Sequence, residues 1–392
     1  MTMPSSQPPQ ASANVVADHQ GAAVAEKGGN TSKFGGIEVC RGVAAIWVVL
    51  AHATAIMSEP RFYGQEIWDG ILLPLGGAGV DFFFVLSGFI ITWVHWGDVG
   101  QPGRLGQYAK RRFLRIYPAY WAVLFPLALL YSLNPGAGTP SQHDPINLVF
   151  SAMLLPYPQP PVLGIAWTLV HEIFFYSLFG LLILAGRRLL WLVPVWIAGI
   201  VLAELWYSRL PFPASIFLNA LNLEFLMGAL AALCLRRTRI PAPALFAVLG
   251  CTSFIVLALG APDFLKISLL GRLAFGTSAL LGILGLVEWE RSYGMKVHGL
   301  FRGAGAASYA IYLVHGVALS LISQLLVRFS GQTLPLSAAF LLLVTGAAAA
   351  GYLFHRVVEV RLSRRSTWHM MRNFVQRSAL ARVDGRPNES TE

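Results

Sequence analysis

Glu38, Arg41 and His52 stand in an otherwise apolar run over 37–57, IEVCRGVAAIWVVLAHATAIM. An imidazole titrates near neutral pH and can act as a general base, and a guanidinium holds anionic oxygens. Such groups are costly in lipid, so in a membrane helix they face a protein interior or a wet cavity. At about 100° per residue, Glu38, Arg41, Ala45, Val48 and His52 share one helix face, while Ile46, Val49 and Leu50 turn away from it. The helical rise separates Arg41 from His52 by about 16 Å. A charged group near one membrane surface and an imidazole deeper inside make a line that can hold a long ligand.

Four further stretches carry chemistry. In AWTLVHEIFFY, Glu172 and Tyr176 are i, i+4 neighbours beside Trp167. An intramembrane carboxylate here can hold the His52 ring in one tautomer, bind a hydroxyl, or bridge two helices; His171 points elsewhere and reads as structural. GGAGVDFFFVLSGF places Asp81 as a hydrogen-bond anchor, and Ser87-Gly88 as a small packing surface. KRRFLRIYPAY puts Arg112 and Arg115 three residues apart, either two forks for phosphate or plain positive-inside anchors. SYAIYLVHG sets Ser308, Tyr312 and His315 on one polar face, with Tyr309 as an interfacial tyrosine. There is no GxSxG elbow and no GxxxxGKS loop, and the three cysteines have no metal-ligand spacing, so no metal is expected.

The elements that position these groups follow from composition. Only 12% of the 392 residues are charged, 55% are hydrophobic, and the mean hydropathy is +0.59. A soluble domain carries about 25% charge, so the chain reads as an integral membrane protein. Ten apolar stretches approach the ~20 residues of a spanning helix: 37–57, 76–96, 117–133, 163–184, 189–207, 214–235, 242–260, 267–287, 303–327 and 335–358. The expected fold is an all-α polytopic membrane helix bundle. Putting the N-terminus inside places 22 of the Lys and Arg residues on inner segments and five outside, among them Arg209 and Arg272. Both termini are then cytoplasmic. The net charge of +10 is spread over short loops, which points to anionic lipid rather than nucleic acid. Residues 1–33 read as a disordered tail, 34–362 as the membrane domain and 363–392 as a basic cytoplasmic tail. In this topology His52, Asp81, Glu172 and His315 all fall in the outer half of the membrane, which suggests one buried polar site.

Taken together, Glu38-x-x-Arg41 with His52, Gly79-Val-Asp81-x-Phe-Phe-x-Leu-Ser87-Gly88-Phe89, Arg112-x-x-Arg115-Ile-Tyr-Pro118, Trp167-Thr-Leu-x-x-Glu172-x-x-Phe-Tyr176 and Ser308-Tyr-x-x-Tyr312-Leu-x-His315 resemble the acyltransferase family 3 proteins, over about 34–362. The resemblance implies transfer of an acetyl or other acyl group from cytoplasmic acyl-CoA to a hydroxyl of a carbohydrate, often exopolysaccharide or lipopolysaccharide, in a bacterial inner membrane. It implies that His52 is the catalytic histidine; the residues themselves suggest Glu172 or Asp81 as the group that orients it, and His52 as base or as transient acyl carrier. Glu38, Arg41, Arg112 and Arg115 would hold acyl-CoA, and Trp167, Tyr176, Tyr312 and His315 the acceptor. The family often ends in Glu-Arg-Pro or Glu-Lys-Pro; here Glu359-Val-Arg361-Leu lacks the proline, which leaves Glu359 without a role. The chain looks closer to the short exopolysaccharide-production type. The competing expectations are a transporter of a sugar or lipid-linked glycan and a non-catalytic subunit of an export complex. Acyl chain, acceptor sugar and oligomeric state are open at this level.

Overall fold

The computed structural model describes residues 34–65, 67–206 and 210–362. The two expected tails and Arg209 lie outside the described residues. Ten principal helices follow in order: α1 Gly35–Ser58, α2 Asp69–His95, α3 Leu105–Leu133, α4 Trp167–Ala185, α5 Leu192–Trp206, α6 Leu221–Arg237, α7 Pro243–Gly260, α8 Leu269–Tyr293, α9 Gly299–Ser330 and α10 Leu336–Phe354. Each of the ten apolar stretches falls on one of them. Among the described residues nine continuous helical segments are long and apolar enough to cross a membrane, because α4 and α5 join through the tight turn Gly186–Trp191. Gly186 opens that turn at φ 79°, a left-handed value that a side chain disfavours.

One boundary differs from expectation in a way that moves chemistry. Helix α3 begins at Leu105 rather than 117, so Lys110, Arg111, Arg112 and Arg115 ride on the helix instead of in a loop. Arg272, within the expected span 267–287, lies in the first turn of α8. In both cases a helix tolerates arginine because a partner within the bundle meets it.

Helices α2 and α6 approach until their backbones touch. Gly88 lies against the Phe225 carbonyl and Gly228 against the Val85 carbonyl, so a Cβ at Gly228 would sit 2.7 Å from the Phe89 nitrogen. Lipid tails are as apolar as leucine, so such close small-residue packing drives helix association. Gly228→Leu is therefore expected to lower the melting temperature of purified protein in detergent, by about 1–3 kcal/mol of overpacking or more. An unchanged melting curve would refute this crossing.

Two apolar clusters flank the region of interest. One joins Ala45, Val49 and Ala53 of α1 to Ala307, Ile311 and Leu319 of α9 and Phe340 and Leu343 of α10. The other joins Phe84 and Ile91 of α2, Ile116 and Tyr120 of α3, Phe175 and Phe179 of α4, and Phe225 of α6. Large apolar side chains such as Val195 and Leu205 on α5 and Val248 and Val256 on α7 are exposed, as lipid-facing surfaces are.

The connection between α3 and α4 is a folded cap. It contains the short helices Pro140–His143 and Pro145–Met153. Buried Asn147 donates to the carbonyls of Ser141 and Pro160 at 2.7 and 2.9 Å, and Tyr120 of α3 donates to Ser151 O at 2.8 Å. In the last part of the cap Val162, Leu163 and Ala166 are buried, while Gly164 and Trp167, the first residue of α4, are exposed.

Candidate active site

His52 is exposed on α1, and its Nδ1 lies 2.9 Å from the Val48 carbonyl. A carbonyl only accepts, so in the neutral ring Nδ1 carries the hydrogen and Nε2 keeps the lone pair. His315 of α9 faces it with ring centroids 4.8 Å apart and planes at 69°. His315 is fully buried; its Nδ1 lies 2.5 Å from Tyr312 O and its Nε2 has no partner. Tyr312 packs on His315 and on Phe83 of α2. Its hydroxyl lies 2.8 Å from Thr168 Oγ1 and donates to Ile165 O at 3.3 Å.

A second, charged group of residues gathers at the other end of the same interior. Glu172 Oε1 accepts from Ser87 at 3.2 Å and from the Tyr176 hydroxyl. The Arg112 guanidinium lies 5.5 Å over the Tyr176 ring, and its Nη2 is 3.3 Å from His95 Nε2. His95 Nδ1 in turn is 2.8 Å from Asp98 Oδ2. Nδ1–H therefore donates to the carboxylate and leaves Nε2 to accept from Arg112. Arg112 Nε is buried with no partner. Arg115 donates to Glu359 Oε1 at 2.7 Å and covers the Tyr309 ring at 5.1 Å. Glu359 Oε2 lies 2.7 Å from His355 Nδ1. Both residues sit in the widened turn His355–Glu359 that extends α10; such π turns recur at functional sites. Arg41 lies in the field of Arg115, Glu172, Glu359 and Glu38, none of which hydrogen-bonds it. Its fork of donors is uncommitted.

The structure thus divides the expected single site in two. His52, His315 and Tyr312 come together; Arg41, Glu38, Arg112, Arg115, Glu172 and Tyr176 form the charged end. Glu172 hydrogen-bonds Ser87 and Tyr176 rather than His52. Depth counted from the sequence put Glu172 level with His52 on the assumption that α4 starts at the membrane rim. Trp167 is 41% exposed and packs on Phe84 and His171, away from both groups. The α1 face between Arg41 and His52 is closed: Ala45 and Val48 are fully buried, against α9 and α2, so no open groove runs along it.

Asp81 is likewise committed elsewhere. It forms an ion pair with Arg272, whose Nη1 is also 3.9 Å from Glu224 Oε1, and all three lie within the bundle on α2, α8 and α6. Asp81 anchors helices, as its sequence context suggested, and its partner is not His52. Removing one member of a buried ion group costs about 3–5 kcal/mol because the others keep their desolvation penalty. Arg272→Met is expected to lower thermal stability by that order, and Asp81→Asn with Glu224→Gln on the same background to restore most of it. Failure of the triple variant to recover would argue against charge as the cause.

Several participants escaped the sequence reading. Glu359 was left without a role, yet it is the pin of Arg115. Its only local signal is the i, i+4 spacing to His355. Tyr309 read as an interfacial residue, yet it lies under Arg115 and donates to Ile116 O at 3.0 Å. Ser87 read as packing, yet it donates to Glu172. The His95–Asp98 pair went unremarked, although i, i+3 titratable groups at a helix end are visible in the sequence.

The fold is a multi-helix membrane bundle that carries an imidazole with a free lone pair on Nε2 and, on the same helix, a guanidinium without a hydrogen bond among the described residues. The chain belongs to the acyltransferase domain family, acyltransferase family 3, which it matches over residues 34–356. It is 30% identical over 262 residues to the exopolysaccharide production protein ExoZ of Rhizobium meliloti strain 1021, covering 64% of this chain and 78% of that one. It is 28% identical over 365 residues to the acyltransferase MdmB of Streptomyces mycarofaciens, covering 81% and 89%. Protein 2 in the picA locus of Rhizobium radiobacter is 31% identical over 153 residues, 34% of this chain and 73% of that protein. No solved structure matches the chain. The protein is a multi-pass membrane acyltransferase and so uses an acyl donor.

Proposed function

We propose that the protein moves a short acyl group, acetyl foremost, from cytoplasmic acyl-CoA to a hydroxyl of a cell-envelope or exported carbohydrate. It does so in a bacterial inner membrane, with both termini cytoplasmic and the catalytic unit over 34–362. The observation that carries this reading is the pair on α1: an exposed imidazole with its lone pair fixed on Nε2, and a guanidinium without a hydrogen bond about 16 Å away along the helix. The printed name of the exopolysaccharide relative supports a carbohydrate acceptor.

The phosphates of the donor would meet Arg41 and Arg112, both of which keep N–H groups free of protein partners. Arginine forks suit phosphate oxygens. Because the Ala45–Val48 face is closed, the donor's arm would reach His52 by a path off that face. There His52 Nε2 takes the hydroxyl proton of the acceptor. The oxygen attacks the thioester carbonyl, the C–S bond breaks, and the proton passes from His52 to the departing thiolate. A variant with the same balance has His52 attack first and carry the acyl group to the hydroxyl.

The test uses purified protein, radiolabelled acetyl-CoA and a cell-envelope glycan extract. Transfer of label to glycan is the expected result. No binding and no transfer with acetyl-CoA or with longer acyl-CoA donors, together with glycan flux across liposomes, would replace this reading with the transporter.

A further inference from the structure

We propose that His315 is the positioning residue of His52, a neutral imidazole serving where a carboxylate would ordinarily hold a histidine base. The inference rests on the function proposed above and changes the role expected of His315 from contact with the acceptor.

Three observations carry it. First, neither carboxylate expected behind His52 is there: Glu172 is held by Ser87 and Tyr176, and Asp81 by Arg272. Second, the ring in T-shaped contact with His52 is His315, with centroids 4.8 Å apart and planes at 69°. Third, His315 is fully buried, so it does not present itself to an acceptor, and its Nε2 has no partner. Its Nδ1 lies 2.5 Å from the Tyr312 carbonyl. That contact fixes the hydrogen on Nδ1 and the lone pair on Nε2, and so fixes the direction of the ring's dipole.

Deprotonation of the acceptor hydroxyl puts a positive charge on His52. Val48 O keeps its Nδ1–H, and the new Nε2–H faces the reacting oxygen. The charge is then stabilised by the fixed dipole of the neighbouring ring, a preorganised group that does not reorient during the reaction. His315 gains and loses no proton. The T-shaped contact also holds the His52 ring plane while Nδ1 stays on Val48. Tyr312 also packs on His315, at 5.6 Å between centroids, and restrains the second ring in turn.

The test compares His315→Phe, which keeps a ring without a lone pair, with His315→Gln, which restores an acceptor atom. The readouts are kcat, KM for donor and for acceptor, and thermal stability in detergent. His315→Phe is expected to lower kcat about 100-fold with both KM values within about twofold, the scale of losing one preorganised group. His315→Gln is expected to recover at least about a tenth of wild-type kcat. A raised acceptor KM with kcat intact would return His315 to acceptor binding. Equal losses in both variants, tracking a fall in melting temperature, would reduce it to packing. Wild-type protein that transfers no acyl group would remove the proposed function and this role with it; wild-type transfer with kcat unchanged in His315→Phe would remove this role alone.

Discussion

His52→Ala is expected to abolish acyl transfer while the donor still binds within about twofold of wild type. The ring donates to Val48 O on its own helix and touches His315, but it holds no charged partner, so its loss leaves the bundle intact. A positioned general base is worth about 100- to 10,000-fold in rate. A histidine that also carries the acyl group loses more, because a covalent route disappears with it. The measurement is label transfer to glycan beside equilibrium binding of acetyl-CoA, with an acid quench of single-turnover mixtures to look for label on the protein. Acid quench yielding labelled wild-type protein and unlabelled His52→Ala would select the acyl-histidine route. Transfer by His52→Ala within about tenfold of wild type would overturn the assignment of the base.

Arg41→Gln is expected to give the converse defect, weak donor binding with the chemical step preserved at saturation. Arg41 faces Glu172, Glu359 and Glu38 as opposing charges and Arg115 as a like charge, and it hydrogen-bonds none of them. A guanidinium kept inside a bundle without a bonded partner is poised for an anion. Truncating one member of a desolvated, charge-assisted contact costs about 2–5 kcal/mol, so Kd for acetyl-CoA should rise roughly 30-fold to several thousand-fold. Gln rather than Ala keeps a polar side chain of similar reach. If Arg41 only balances the three carboxylates, the variant should melt earlier and yet bind donor normally. Binding and melting curves on the same preparation separate the two results.

Much of the architecture was legible because a membrane helix is nearly a composition statement. Twenty apolar residues in a row leave little else to be, and each of the ten apolar runs falls on a helix. The basic residue pattern also picked out Arg112 and Arg115 before their helix was known. Depth was the weak link. Counting residues gives a level along a helix and not the neighbours toward which a side chain turns. Glu172 turns to Ser87 and Tyr176, and the Tyr176 ring lies under Arg112. Pairing was weaker still. Nothing local to Asp81 tells that Arg272, nearly two hundred positions away, waits on another helix, and nothing near Arg115 announces Glu359. Those partners follow from helix order around the bundle, which a single sequence leaves free.

The closed stretch of α1 has a meaning of its own. Ala45 and Val48 admit no water, so the histidine end and the arginine end are not joined by a wet column along that helix. Whatever links the two ends must leave that face of α1, so the helix that carries both His52 and Arg41 holds them in register without itself providing the path between them.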